Sequence, residues 1–265
     1  MLREQVIEAL RGYSFRGKAR LLNCIEPPRR KRTINLFGYQ VDLDTTEFIQ
    51  RYIYLGAYEM KDAARLRRHL RPGMVVIDAG ANMGFYSLLA ASVVGRNGKV
   101  FAIEPSPDAF SKLSKIVEGN LISQIKPSRV GFSDKEGEED LYLPQPDCDN
   151  HTYTMVFCHS GHGPNISVPV TTLDKYMDEQ NIDCADLLKV DVDGYETRLF
   201  AGASRALKGR RIKAILCEFS DFWLRYIGSS PHELHRMLTG YGFMDVDGVP
   251  VFEEGCLVNR FFVLK

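Results

Sequence analysis

The clearest hydrophobic pattern in the chain lies at residues 73–94. Residues 74–77 are a continuous apolar run, as expected of a strand buried on both faces of a parallel sheet. Asp78 closes the run, Gly80 and Gly84 permit a tight turn, and Phe85 and Tyr86 open an amphipathic helix predicted over 85–94. A second apolar run at 100–103 ends in Glu104. Pro105, Ser106 and Pro107 follow as a helix start, with Ser106 at the N-cap and Pro107 at the first helical position. Further strands are predicted at 125–132, 138–143, 152–157, 167–170, 187–192 and 211–218. Helices are predicted at 60–70, 107–118, 172–180, 195–207 and 231–238. The last two strands, from 242 and at 259–265, turn at Asp247 and Gly248, and so short a connection implies an antiparallel pair. Upstream, residues 2–26 carry two short helical patterns, 33–44 alternate around Gly38 as a β-hairpin, and 48–55 read as helix.

Strands alternating with helices define an α/β chain with a mostly parallel, doubly wound sheet. Residues 1–56 are expected to form an N-terminal extension capping the pocket, and 57–265 the cofactor-binding domain.

Composition narrows the function classes. Acids and bases balance at 34 each, so no global field recruits nucleic acid or a membrane surface. The basic run Arg29, Arg30, Lys31 and Arg32 reads as a solvated linker. No apolar run reaches membrane-spanning length, and the first residues lack a signal peptide's apolar core. The six cysteines are scattered without a C-x-x-C pair, as expected of thiols in a reducing cytoplasm. A homodimer is compatible with this composition.

The turn and the acids around it carry the chemistry. A strand, a glycine turn and a helix let backbone N–H groups approach a ligand. An acid about twenty residues further on can accept both ribose hydroxyls, and Glu104 stands there. The turn is not the G-x-G-x-x-G of a dinucleotide site: Asn82 replaces the middle glycine and Asp78 enters the turn. An acid repels a pyrophosphate and attracts an ammonium. S-adenosylmethionine, with an ammonium, a sulfonium and a ribose but no phosphate, suits this turn better than a nicotinamide.

A second informative stretch spans residues 186–196. Asp191 is expected at the end of a central strand, facing the cofactor's reactive end. Asp193 reads as the N-cap of the next helix, with Glu196 completing a capping box. Lys189 pairs with Asp191 or Glu218, and Glu218 ends the neighbouring strand. Cys148, His151, Cys158, His159 and His162 cluster in an irregular stretch without zinc-finger spacing, so no metal ligands are assigned there. His151 is instead a candidate general base, since an alcohol's proton must leave as its oxygen is methylated. Asp191 with Glu218 or His151 could alternatively hold a hard divalent cation that acidifies the hydroxyl.

Taken together, residues 75–87 (VVIDAGANMGFYS), 104–107 (EPSP), 172–174 (TLD), 188–196 (LKVDVDGYE) and 217–219 (CEF) resemble the FkbM-type family of S-adenosylmethionine-dependent methyltransferases. Residues 49–59 (IQRYIYLGAYE) fit as well, and the match covers about 45–219. The resemblance implies a Rossmann-like class I fold, seven strands with the last antiparallel, and O-methylation of a sugar, glycan or natural product. It implies that Asp78, Gly80 and Asn82 hold the methionine part, with Glu59 at its amino-acid end and Phe85 and Tyr86 beside it. Glu104 and Pro105 would take the ribose, Ser106 and Ser133 the adenine rim, and Asp191 the transferred methyl. Asp193 departs from the glutamate of many relatives, and the first 40 residues match no family pattern. Set against this are a nucleic-acid or N-directed methyltransferase, which would want a basic face, and a cofactor-binding protein without turnover.

Overall fold

The structure is a computed structural model that describes residues 6–7, 9–10, 30–142 and 165–265. Most of the N-terminal helical pattern lies outside them, as do the expected strand at 152–157 and the His151 and Cys148 cluster.

The hairpin forms as the alternation predicts. β1 (Lys31–Leu36) and β2 (Tyr39–Asp44) pair antiparallel about Phe37 and Gly38. Lys31 and Arg32 open β1, which corrects their reading as linker. Ile34, Leu36, Val41 and Leu43 turn inward to the main core, together with α1 (Phe48–Tyr54) and α2 (Met60–His69).

β3 (Val75–Ala79), α3 (Phe85–Val94), β4 (Lys99–Ile103), α4 (Pro107–Gly119) and β5 (Ile125–Ser128) build the first half of the sheet. α3 is apolar on nearly every side and buries Phe85 through Ala91, so it lies between the sheet and the elements around it. Ser106 caps α4 by accepting the Ala109 N–H at 3.3 Å. The strand expected over 125–132 stops at Ser128. Its last residues enter β6 (Gly131–Phe132) of a separate three-stranded sheet with β7 (Gly137–Tyr142) and β8 (Asn165–Thr171).

The second half holds α5 (Leu173–Glu179), β9 (Leu187–Val190), α6 (Glu196–Ala201), α7 (Ser204–Lys208), β10 (Ala214–Ser220), α8 (Asp221–Tyr226), α9 (Pro231–Gly240), β11 (Phe243–Asp245) and β12 (Leu257–Leu264). The helix expected over 195–207 is broken at Gly202 and Ala203. A side-chain carbon at Gly202 would stand 2.1 Å from the Ser133 carbonyl oxygen, so this backbone packs too closely for any larger residue. Asp174 bridges the break, accepting the backbone N–H groups of Arg205 and Ala206 at 2.8 and 2.7 Å. Asp174→Ala would strand both donors and should cost roughly 2 kcal/mol in urea unfolding. A loss under about 0.5 kcal/mol would mean that water replaces the carboxylate.

The large sheet runs β5-β4-β3-β9-β10-β12-β11, with β12 antiparallel to both neighbours. Alternation along each strand feeds two cores. Val76, Val100, Leu187 and Leu216 face the hairpin side, while Ile77, Phe101, Leu188 and Ile215 face the helices that follow β8. The order reverses between β3 and β4, on one side, and β9 and β10, on the other, so a crevice opens at their carboxyl ends. Among the described residues no helix is long and apolar enough to cross a membrane.

Candidate active site

A cavity of about 680 Å³ fills that crevice. Its floor is the turn after β3, where Gly80 and Ala81 donate to the Ile103 carbonyl at 3.0 and 2.9 Å. Gly80 has a φ of +78°, and a side-chain carbon there would stand 1.7 Å from the Asp191 carbonyl oxygen. Only glycine meets both conditions.

Glu104 stands at one end, 6 % exposed. Its two carboxylate oxygens accept the Asn82 N–H at 2.7 Å and the Ser106 N–H at 2.8 Å. Those bonds favour the anion, but burial outweighs them and pushes the carboxyl up to about 7. Apolar Ile103, Val130, Phe132 and Leu141 wall the cavity beside it. Glu47 to Gln50, at the start of α1, line the cavity too, and Glu47 accepts from Lys112 of α4 at 2.9 Å. The N-terminal region therefore reaches the pocket.

The other end is built by sheet register. In the β3–β9 pair, Asp78 lies opposite Lys189 and Ala79 opposite Val190, while Cys217 of β10 lies opposite Val190. Asp191 and Glu218, 27 positions apart in sequence, thus emerge side by side. The Lys189 ammonium is 2 % exposed, donates to Asp191 at 2.5 Å and lies 4.8 Å from the centre of the Tyr86 ring. Burial works against its charge, but Asp191, Asp78 and Glu59 outweigh burial and hold it above the usual lysine range. Glu59, in the left-handed region at φ 42°, accepts from the Tyr86 hydroxyl and from Asn259 Nδ2 at 3.4 Å. Burial, then repulsion from Asp191, raises its carboxyl.

Of the sequence-predicted residues, Glu59, Gly80, Asn82, Phe85, Tyr86, Glu104, Pro105, Lys189, Asp191 and Glu218 line this one cavity. Asp78, Ser106 and Ser133 do not. Asp78 is buried beneath the turn, where one oxygen accepts from Ser87 at 2.6 Å and the other has no partner. Ser106 is taken up by its cap, and Ser133 is buried against Glu139 at 3.1 Å. His151 lies outside the described residues.

One residue changes role. Asp193 is not the expected N-cap: that position is Tyr195, and Glu196 instead accepts the Gly194 and Val192 N–H groups at 3.2 and 3.3 Å. Asp193 lines the cavity at φ 49°, and its buried Oδ1 has no hydrogen-bond partner. The D-x-x-E spacing misled because the chain between the two acids bends at Gly194 before the helix begins. Tyr58, which lies in the 49–59 stretch but has no role assigned by it, and Leu257, which no motif marks, also line the site. They arrive from a loop and from the remote last strand.

The donor set decides which cofactor fits. Two lysines line the cavity, and both are paired with carboxylates, so no free cation among the described lining residues awaits a pyrophosphate. Carboxylates dominate the lining, among them Glu59, Glu104, Asp191, Asp193 and Glu218, and such a set attracts an ammonium or a sulfonium and repels a pyrophosphate. S-adenosylmethionine fits these residues.

Strand order, the acid after the second strand and the carboxyl-edge crevice define a Rossmann-like class I methyltransferase. The chain belongs to the FkbM methyltransferase family, whose model, described as "Methyltransferase FkbM domain", matches residues 78–244. It is 24 % identical over 165 residues to the hexuronic acid methyltransferase AglP of Haloferax volcanii, a match covering 62 % of this chain and 61 % of that protein. It is 26 % identical over 230 residues to the 31-O-demethyl-FK506 methyltransferase FkbM of Streptomyces tacrolimicus, covering 77 % of this chain and 84 % of that one. A ribosomal RNA large subunit methyltransferase E of Sorangium cellulosum is 36 % identical over 86 residues, 32 % of this chain and 41 % of its own. Among solved structures, an FkbM methyltransferase from Methylobacillus flagellatus matches 81 % of this chain and 52 % of its own length, with 14 % identity and a TM-score of 0.48.

Proposed function

We propose that the protein is an S-adenosylmethionine-dependent O-methyltransferase acting on a hydroxyl of a sugar, glycan or natural product. The observation that carries this reading is one cavity with Glu104 at one end and the Lys189–Asp191 pair at the other. The bound cofactor would supply an electrophilic methyl group on a sulfonium. Glu104 would hold the ribose, and Glu59 and the turn at Gly80 and Asn82 the methionine part, with Asp191 beside the transferred methyl.

The chain's own residues then do three things. The cavity walls exclude water and fix the acceptor oxygen in line, which supplies most of the acceleration. Lys189, immobilised by Asp191 and the Tyr86 face, holds the Asp191 carboxylate in one orientation. Asp191 takes the hydroxyl proton when it acts as the direct base; a divalent cation held at this end of the cavity would instead acidify the hydroxyl so that its proton leaves to water. A hydroxyl acceptor is supported by the balanced charge and by the hexuronic acid and FK506 enzymes among the relatives. An RNA acceptor is the second reading, supported by the ribosomal RNA relatives.

Two measurements test this. Calorimetric titration should give micromolar binding of S-adenosylhomocysteine and none of NAD. Labelled methyl transfer should then favour sugar and natural-product hydroxyls over RNA, and Asp191→Asn should lower it about 10²- to 10⁴-fold while keeping homocysteine-adduct affinity. NAD binding alone would sink the methyltransferase reading, and transfer to RNA alone would sink the small-acceptor reading.

A further inference from the structure

We propose that Asp191, Asp193 and Glu218 form a binding site for one hard divalent cation, Mg²⁺ or Mn²⁺, in the wall of the cavity. One carboxylate oxygen from each lies within 4.8 Å of the others, and all three residues line the same space. Two oxygens on opposite sides of one such ion stand about 4 to 5 Å apart, so a single ion can bridge the three.

A second observation separates this cluster from an ordinary acidic surface. Asp193 Oδ1 is shut off from solvent and has no hydrogen-bond partner. Its structural alternative, capping α6, is absent, because Tyr195 holds that position. On a part-buried side chain clustered with two other carboxylates, such an unpartnered, shielded oxygen needs a cation or a proton.

The local charge points to a dication. Among the described residues lining this end of the cavity, Lys189 offers the one ammonium, and its hydrogen bond goes to Asp191. With Asp78 and Glu59 also beside that ammonium, the carboxylates here exceed the cations, and a divalent ion offsets the excess. Oxygen-only donors select hard ions over zinc or copper. Waters and an acceptor hydroxyl would complete the coordination shell. The ion would draw electron density from that hydroxyl, whose O–H pair stays on oxygen as the proton leaves to water. This catalytic role rests on the methyltransferase reading, whereas the site itself does not.

The test therefore reads binding without turnover. The chelator-stripped full chain is titrated with MnCl₂ alone, and free Mn²⁺ is followed by its electron paramagnetic resonance signal. One saturable site per chain is expected, with Mg²⁺ competing. Asp193→Asn keeps shape and tolerates the left-handed backbone, and it should weaken uptake at least tenfold. Glu218→Gln should do the same and serves as a second variant should the first not fold. No saturable uptake below about 1 mM, or uptake unchanged in both variants, would overturn the proposal. Binding of Mn²⁺ by a chain that methylates nothing would instead overturn the function and leave the site standing.

Discussion

Glu104→Ala is expected to weaken S-adenosylhomocysteine binding about a hundredfold. In the proposed function the carboxylate accepts the ribose hydroxyls, and it also pins the backbone of Asn82 and Ser106 through bonds of 2.7 and 2.8 Å. Removing it loses a charge-assisted contact and loosens the turn, together roughly 2 to 3 kcal/mol. Calorimetry on wild type and variant reads this directly. A variant that binds within threefold of wild type would show that the ribose lies elsewhere.

The same residue sets a pH dependence. With its carboxyl pushed up to about 7 by burial, Glu104 is mostly protonated at pH 6 and mostly ionised at pH 8. Only the ionised form can serve two backbone N–H groups and still accept ribose hydroxyls. Affinity should therefore rise about tenfold from pH 6 to pH 8, and the rise should vanish in Glu104→Gln.

Stability of the ligand-free protein should move the opposite way. The folded pKa lies above the unfolded one, so between about 4.5 and 7 the native state keeps a proton that the unfolded chain releases. Stability is thus greatest at the acid end of that window and falls as pH rises through it, by about 3 kcal/mol at most for this group. Glu196, also pushed up to about 7 by burial, adds a similar slope. Thermal melts between pH 5 and 8 should show the decline, smaller in Glu104→Gln. A wild-type melting temperature that climbs with pH would contradict the buried-carboxyl account.

The second large effect is expected at Gly80. Gly80→Ala places a methyl group 1.7 Å from the Asp191 carbonyl oxygen and 2.8 Å from its carbon. That carbonyl cannot swing away cheaply, because the Asp191 N–H is tied to the Ala79 carbonyl at 3.1 Å. The variant should lose about 4 kcal/mol or more in urea unfolding, the range of severe overpacking added to backbone strain. Gly73→Ala is the control. Its φ of +83° matches the +78° of Gly80, and nothing lies within 4 Å of its added carbon. It should cost only the 1 to 2 kcal/mol of a left-handed alanine. Equal losses in the two variants would mean that the turn relaxes away from β9.

The sequence was legible where local pattern and burial agree. The apolar runs of β3 and β4 and the Ser-Pro starts of α4 and α9 fixed those elements within a residue or two. Glycines at the turn and an acid beyond the second strand marked residues that line the cavity, and the strand-helix alternation implied a sheet that reverses order there. It misread places where the chain bends against a distant neighbour. The 195–207 helix breaks because Gly202 packs on Ser133, and the 125–132 strand divides because its end pairs with β8.

Asp193 is the instructive case. Its spacing to Glu196 suits a cap, and local spacing was all that the sequence offered. Its place beside Asp191 and Glu218 depends on the register of three strands, set by side chains packing across the whole sheet. The sequence by itself determined the elements, the turn and the kind of cofactor, because these follow from short-range periodicity and residue chemistry. The tertiary structure alone decided which acids meet, which stay unpartnered and which distant residues wall the pocket, because strand pairing brings together positions that no local pattern relates.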